Sequence, residues 1–138
     1  LKTIRPLCAI NTGNYSDNIY ISIENCGMGP MIIKRFKVKS INEKNKFKFD
    51  SSKPIDNLVD VIQANLSVGH CSYFKIDEGE IIKVGEQMKL IDCNDSDGVW
   101  DKRKLSNFLK SLILNIEYTD IYEKKVFIKR ESLHSAFE

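Results

Sequence analysis

The segment Ile19-Tyr20-Ile21-Ser22-Ile23-Glu24-Asn25 alternates apolar and polar residues without a break, then runs into Cys26-Gly27-Met28-Gly29-Pro30. Alternation at period two puts Ile19, Ile21 and Ile23 on one face and Tyr20, Ser22 and Glu24 on the other, as in a half-buried strand. The two glycines admit positive φ and Pro30 bars a helix from running through, so the strand is expected to end in a corner. A chain patterned this way must build a sheet.

Residues 31–41 continue as a second long strand, with Ile32, Lys34, Phe36 and Val38 on one side and Ile33, Arg35, Lys37, Lys39 and Ile41 on the other. The polar linker 42–45 leads into Lys46-Phe47-Lys48-Phe49, expected to complete a hairpin. The period then changes: Ile55, Leu58, Val59, Ile62 and Leu66 recur at helical spacing behind Pro54, which the first turn of a helix tolerates. Strands are expected over 71–76 and 81–91, the latter broken by Gly85-Glu86. A helix carries Leu105, Phe108, Leu109 and Leu112 and yields to a strand near Ser111; 112–118 and 126–130 alternate as a final pair, and the tail 131–138 shows no long pattern. Strands in adjacent antiparallel hairpins, with two short helices inserted, predict a mainly β fold: an antiparallel β-sandwich or small barrel.

Length bounds the answer to one domain over 1–138, because 138 residues with 42% hydrophobic content can bury a core without a metal or disulfide staple. A formal charge of +2, from 21 basic and 19 acidic residues, argues against a polybasic coat for duplex nucleic acid. Cys8, Cys26, Cys71 and Cys93 form no C-x-x-C pair; their even number permits two disulfides, and the expectation is reduced, partly buried thiols. His70, Cys71 and Cys93 make an awkward zinc set because adjacent strand residues point to opposite faces. No stretch approaches the ~18 apolar residues of a spanning helix, so a soluble domain is expected. The opening Leu1-Lys2-Thr3-Ile4 lacks an initiator methionine, which sets the expectation of a membrane segment upstream.

Arg5-Pro6, the corner Asn25-Cys26-Gly27-Met28-Gly29-Pro30 and the late Tyr118-Thr119-Asp120 resemble, in order, a widespread set of bacterial proteins. Their pattern is Arg-Pro, then Asn-x-Gly-x-Gly-Pro-Ala, then Tyr-x-Asp; Met31 stands where they carry Ala. The resemblance implies one or two membrane helices ahead of a soluble β-rich domain. In size, β content and expected anchor the chain is also similar to antiviral effectors, among them the CRISPR-associated membrane proteins that bind cyclic oligoadenylate.

The strongest candidate site is the expected hairpin over 33–50. If loop 42–45 sets its register, Ile41 faces Lys46, Lys39 faces Lys48 and Lys37 faces Asp50, with Arg35 further along. Opposed lysines about 5 Å apart repel unless an anion lies between them, so Arg35, Lys37, Lys39, Lys46 and Lys48 form a candidate phosphate-binding face. The bland alternative is a solvated edge kept from aggregating by lysines. Two further basic groups, Lys102-Arg103-Lys104 and Lys124-Lys125 with Lys129-Arg130, are read as surface. Tyr15, Tyr20, Tyr73 and Trp100 are candidates for stacking on a base. Catalysis is not expected: His70 and Ser72 share a strand face without a nucleophile elbow, and the acidic turns at 77–80 and 92–97 lack a calcium-loop pattern.

Two functions follow as expectations. The first is the ligand-sensing domain of a membrane-anchored antiviral effector, facing the cytoplasm, forming a homo-oligomer and binding a cyclic oligonucleotide, cyclic oligoadenylate foremost. The second is a protein-interaction or structural β-sandwich next to a membrane. Neither calls for a cofactor or metal.

Overall fold

The computed structural model describes residues 5–41, 52–66, 71–94 and 102–138. Eight strands and two helices follow in the order β1 (Cys8–Asn14), β2 (Asn18–Asn25), β3 (Met31–Ser40), α1 (Leu58–Asn65), β4 (Cys71–Tyr73), β5 (Ile81–Ile82), β6 (Gln87–Asn94), α2 (Lys102–Lys110), β7 (Leu112–Thr119) and β8 (Val126–Ser132). They form two four-stranded antiparallel sheets, β1-β2-β6-β4 and β5-β3-β7-β8. The sheets do not close on each other, so of the two expected architectures the chain adopts the sandwich. By position, β1, β2, β6 and β4 stand as A, B, E and D of an immunoglobulin-type sandwich, and β3, β7 and β8 as C, F and G, with β5 added beside β3.

Ile19, Ile21 and Ile23 of β2 are fully buried and meet Phe36, Leu114 and Ile116 in one apolar core. The predicted phase of β3 needs a correction. A bulge between Ile33 and Arg35 shifts the alternation by one, so Ile33 faces inward with Phe36 and Val38 instead of outward with Arg35, Lys37 and Lys39. A second bulge, between the partners of Ile21 and Ser22, lets β6 bury Leu90 and Ile91 in succession.

Among the described residues, β1–β2 and β7–β8 pair as adjacent hairpins, and of these local pattern suggests only the second. The corner 26–30 instead carries the chain from one sheet to the other. Asn25, completely buried, organises it: its Oδ1 accepts the N–H groups of Leu7 (3.3 Å) and Gly27 (3.0 Å), and its Nδ2 donates to the carbonyls of Gly29 (2.8 Å) and Ile82 (3.0 Å). Gly27 is required by closeness and not by positive φ, which it does not adopt; a Cβ there would sit 2.4 Å from Leu7 N and 2.5 Å from Arg5 O.

Three segments depart from expectation. β1, too weakly patterned to predict a strand, pairs with Ile19–Asn25 of β2, and Gly13 lies beneath the Tyr20 ring. Helix α1 starts at Leu58 and not at Pro54, because 54–56 lies along β3: Phe36 N–H bonds Pro54 O, and Asp56 N–H bonds Phe36 O. The tail buries Leu133 and Phe137 and is tied down by the Ser106 hydroxyl on Phe137 O. The expected strand 46–49 lies outside the described residues. No helix among the described residues is long and apolar enough to cross a membrane.

Candidate functional site

From Arg35 onward β3 alternates as predicted, so Arg35, Lys37 and Lys39 do share the outer face of their sheet. Among the described residues the strand beside them is β7, with Arg35 opposite Glu117, Lys37 opposite Asn115 and Lys39 opposite Ile113; the expected partner strand, with Lys46, Lys48 and Asp50, lies outside the described residues. Arg35 Nε lies 3.7 Å from Glu117 Oε2. Lys37 reaches Asp56 Oδ1 at 3.0 Å and Lys53 O at 3.0 Å; Asp50, its expected partner, lies outside the described residues. The other Asp56 oxygen accepts the buried Val38 N–H at 3.1 Å. Lys37 and Asp56 thus fasten 54–56 to β3, which is a structural task.

Lys39 remains. It lines a depression of about 110 Å³ with Ile113, Asn115 and Arg130. Neither Lys39 nor Arg130 has an ionic partner among the described residues. Arg130, expected at the surface, is brought there by the β7–β8 register, which sets Asn115 opposite Arg130. Lys46 and Lys48 lie outside the described residues, as does Trp100.

The larger of the two concavities is a groove of about 590 Å³ bounded by β4, β5 and β6. Tyr73, Phe74, Ile81 and Met88 give it apolar walls; Glu80, Glu86, Lys89 and Asp92 give it charge. Lys89 is spoken for: its Nζ lies 3.2 Å from Asp92 Oδ2 and 5.3 Å from the centre of the Tyr20 ring. The Asp92 carboxyl is held below its ordinary range, first by the Asn18 amide donating at 2.7 Å and then by Lys89. Glu80 and Glu86 have no ionic partner among the described residues. The groove therefore presents negative charge to an occupant, the opposite of what phosphate requires. Of the stacking candidates Tyr73 lines it, whereas Tyr15 and Tyr20 pair with each other at 6.4 Å.

The cysteines divide in a way the sequence left open. Cys71 and Cys93, directly opposite across β4 and β6, form a disulfide, correcting the expectation that all thiols are reduced. The bond ties a three-residue edge strand to its sheet. Cys8 is buried, and burial raises its thiol pKa from 9.0 to about 12; Cys26 is exposed and donates to Glu24, which also pushes its pKa up. Thiol titration with a disulfide exchange reagent is expected to give one reactive group in the native protein, Cys26, and a second, Cys8, only on unfolding. Four reactive thiols in the unreduced, denatured chain would contradict the pairing.

No group of three or more metal-ligating side chains occurs among the described residues. Ser72 lines the groove, His70 lies outside the described residues, and His134 Nδ1 lies 3.6 Å from Glu138. The residues that carry the family resemblance hold the fold together. Arg5 stacks on Phe127 with its guanidinium 5.2 Å from the ring centre, Tyr118 OH accepts the Cys8 N–H, and Asp120 Oδ1 accepts the N–H groups of Tyr122 and Glu123. Searches against family models, curated proteins and solved structures find no match to this chain.

Proposed function

We propose that this domain is a protein-binding module with no chemistry of its own. One observation carries the reading: the groove of about 590 Å³ is apolar and acidic, while the basic strand predicted to hold phosphates spends Arg35 on Glu117 and Lys37 on Asp56. Immunoglobulin-type sandwiches host many unrelated functions, so the fold adds nothing to this beyond a rigid scaffold. The Cys71–Cys93 bond supports a setting outside the reducing cytoplasm, since disulfides persist where thiols are not continuously reduced.

A specific observation favours a second reading, the cytoplasm-facing cyclic-oligonucleotide sensor on an upstream membrane anchor. Lys39 and Arg130 flank Asn115 without ionic partners among the described residues, around a depression of about 110 Å³. That volume suits one phosphate group and no base.

Thermal unfolding with cyclic oligoadenylates and cyclic dinucleotides separates the two. A ligand at about a hundred times its Kd adds about 2.7 kcal/mol, several degrees in Tm. No shift is expected with any of them. A shift that disappears in the double variant Lys39→Glu, Arg130→Glu would overturn the protein-binding reading in favour of the sensor.

A further inference from the structure

We infer that the edge of β6 at residues 87–89 is a strand-addition site for an extended peptide carrying apolar side chains flanked by lysine or arginine. This deepens the protein-binding reading and rests on it. β6 is paired along its whole length with β2, but on its other side β4 covers only 91–93, with Phe74 N–H reaching Leu90 O at 3.4 Å. Over 87–89 no strand lies on that side among the described residues.

The hydrogen-bond phase shows which groups are left over. Asn25 N–H bonds Glu86 O at 3.1 Å, and Ile23 stands opposite Met88, so the ladder consumes the main-chain groups of Met88. Alternation then directs the N–H and C=O groups of Gln87 and Lys89 away from β2, into the groove. An unpaired strand edge is a template for another chain, and proteins usually blunt it with lysine, proline or a covering loop. Here the one lysine is drawn aside to Asp92 and Tyr20, and the covering strand stops short because the chain leaves for the other sheet to form β5.

The occupant's chemistry follows from the walls. Tyr73, Phe74 and Ile81 are 52%, 45% and 56% exposed, more apolar surface than water-facing side chains at a free edge need. Three paired residues span about 10 Å of extended chain, and the groove's volume, about 590 Å³, is that of a ligand site. Alternate side chains of an added strand face the groove wall and solvent in turn. Glu80 and Glu86 stand at the groove without counter-ions among the described residues, so basic residues beside the apolar ones complement it and acidic ones are repelled.

The test uses the isotope-labelled 138-residue chain and the probe acetyl-Lys-Val-Phe-Val-Lys-amide, with two relatives: one bearing Glu for both Lys, the other N-methylated at alternate amides. The first is expected to shift amide resonances at 86–89, Phe74 and Ile81 and to slow hydrogen exchange at Gln87 and Lys89. N-methylation should weaken binding about tenfold or more, as loss of main-chain hydrogen bonds requires. The double variant Glu80→Lys, Glu86→Lys should reverse the preference between the Lys and Glu peptides. Equal binding of the N-methylated peptide, or no shifts at millimolar probe, would overturn strand addition. Shifts confined to β8 or to the Lys39–Arg130 depression would also sink this site while leaving the protein-binding reading standing; only the nucleotide result above bears on that. Concentration-dependent dimerisation that protects 87–89 without peptide would assign the edge to a second copy of the chain and overturn the proposal.

Discussion

Changing Asn25 to aspartate is expected to cost the fold about 3–5 kcal/mol, because each buried polar group left without a partner costs ~1–3 kcal/mol and a charged one more. The amide uses its full capacity in four hydrogen bonds, two accepted and two donated, at a site with no solvent exposure. A carboxylate keeps the two accepted bonds and turns both donors into acceptors aimed at the carbonyls of Gly29 and Ile82. Burial and those carbonyls raise the new carboxyl's pKa in the folded state above its unfolded value, so the deficit should shrink as pH falls through that raised pKa. Urea unfolding, with a lower midpoint and an unchanged m-value, measures the effect. A loss below about 1 kcal/mol would mean that the corner holds without its amide.

Asp56→Ala is expected to be of similar size, about 3–5 kcal/mol, as for removal of one member of a buried ion pair. The Asp56 side chain is 3% exposed and that of Lys37 14%, and the change takes the carboxylate from the ammonium and strands the Val38 N–H. Lys37→Met should also destabilise, by leaving the carboxylate without its cation, and the two changes should fall well short of additive in a double-mutant cycle. The pair also decides what Lys37 is for. A ligand-binding lysine would alter binding when changed and leave stability alone; a lysine that fastens a loop to β3 does the reverse. Additive losses, or a stability-neutral Lys37→Met, would return Lys37 to the list of surface cations available to a ligand.

Strong alternation was a reliable guide wherever one strand faces the core and solvent in turn. β2, β7 and the outer residues of β3 lie where their patterns put them, and α2 gives way to β7 at Ser111. β1 was illegible because Cys8-Ala9-Ile10-Asn11-Thr12-Gly13-Asn14 has no clear alternation; it is a strand because β2 offers an edge and Tyr20 covers Gly13. Leu133 and Phe137 are too few and too spaced to announce a buried tail, yet both fill the core beneath α2. The bulge in β3 is equally silent locally, since it exists to bring Ile33 and Phe36 to the same face against β7.

The candidate site separates along the same line. That Arg35, Lys37 and Lys39 share a face is a property of extended backbone, and the sequence by itself determined it, together with the β class, the two helices and the Asn25 corner. Which charges those residues meet depends on Glu117 of a strand about 80 residues away and on Asp56, 19 residues away, and no local pattern encodes either contact. Tertiary structure alone decided that Glu117 and Asp56 neutralise two of the three, that Cys71 and Cys93 are opposed closely enough to bond, and that β4 ends before it covers β6. The reason is physical: side-chain alternation is set within a few residues by backbone sterics, whereas edges and partners are set by which strands find each other across the sandwich.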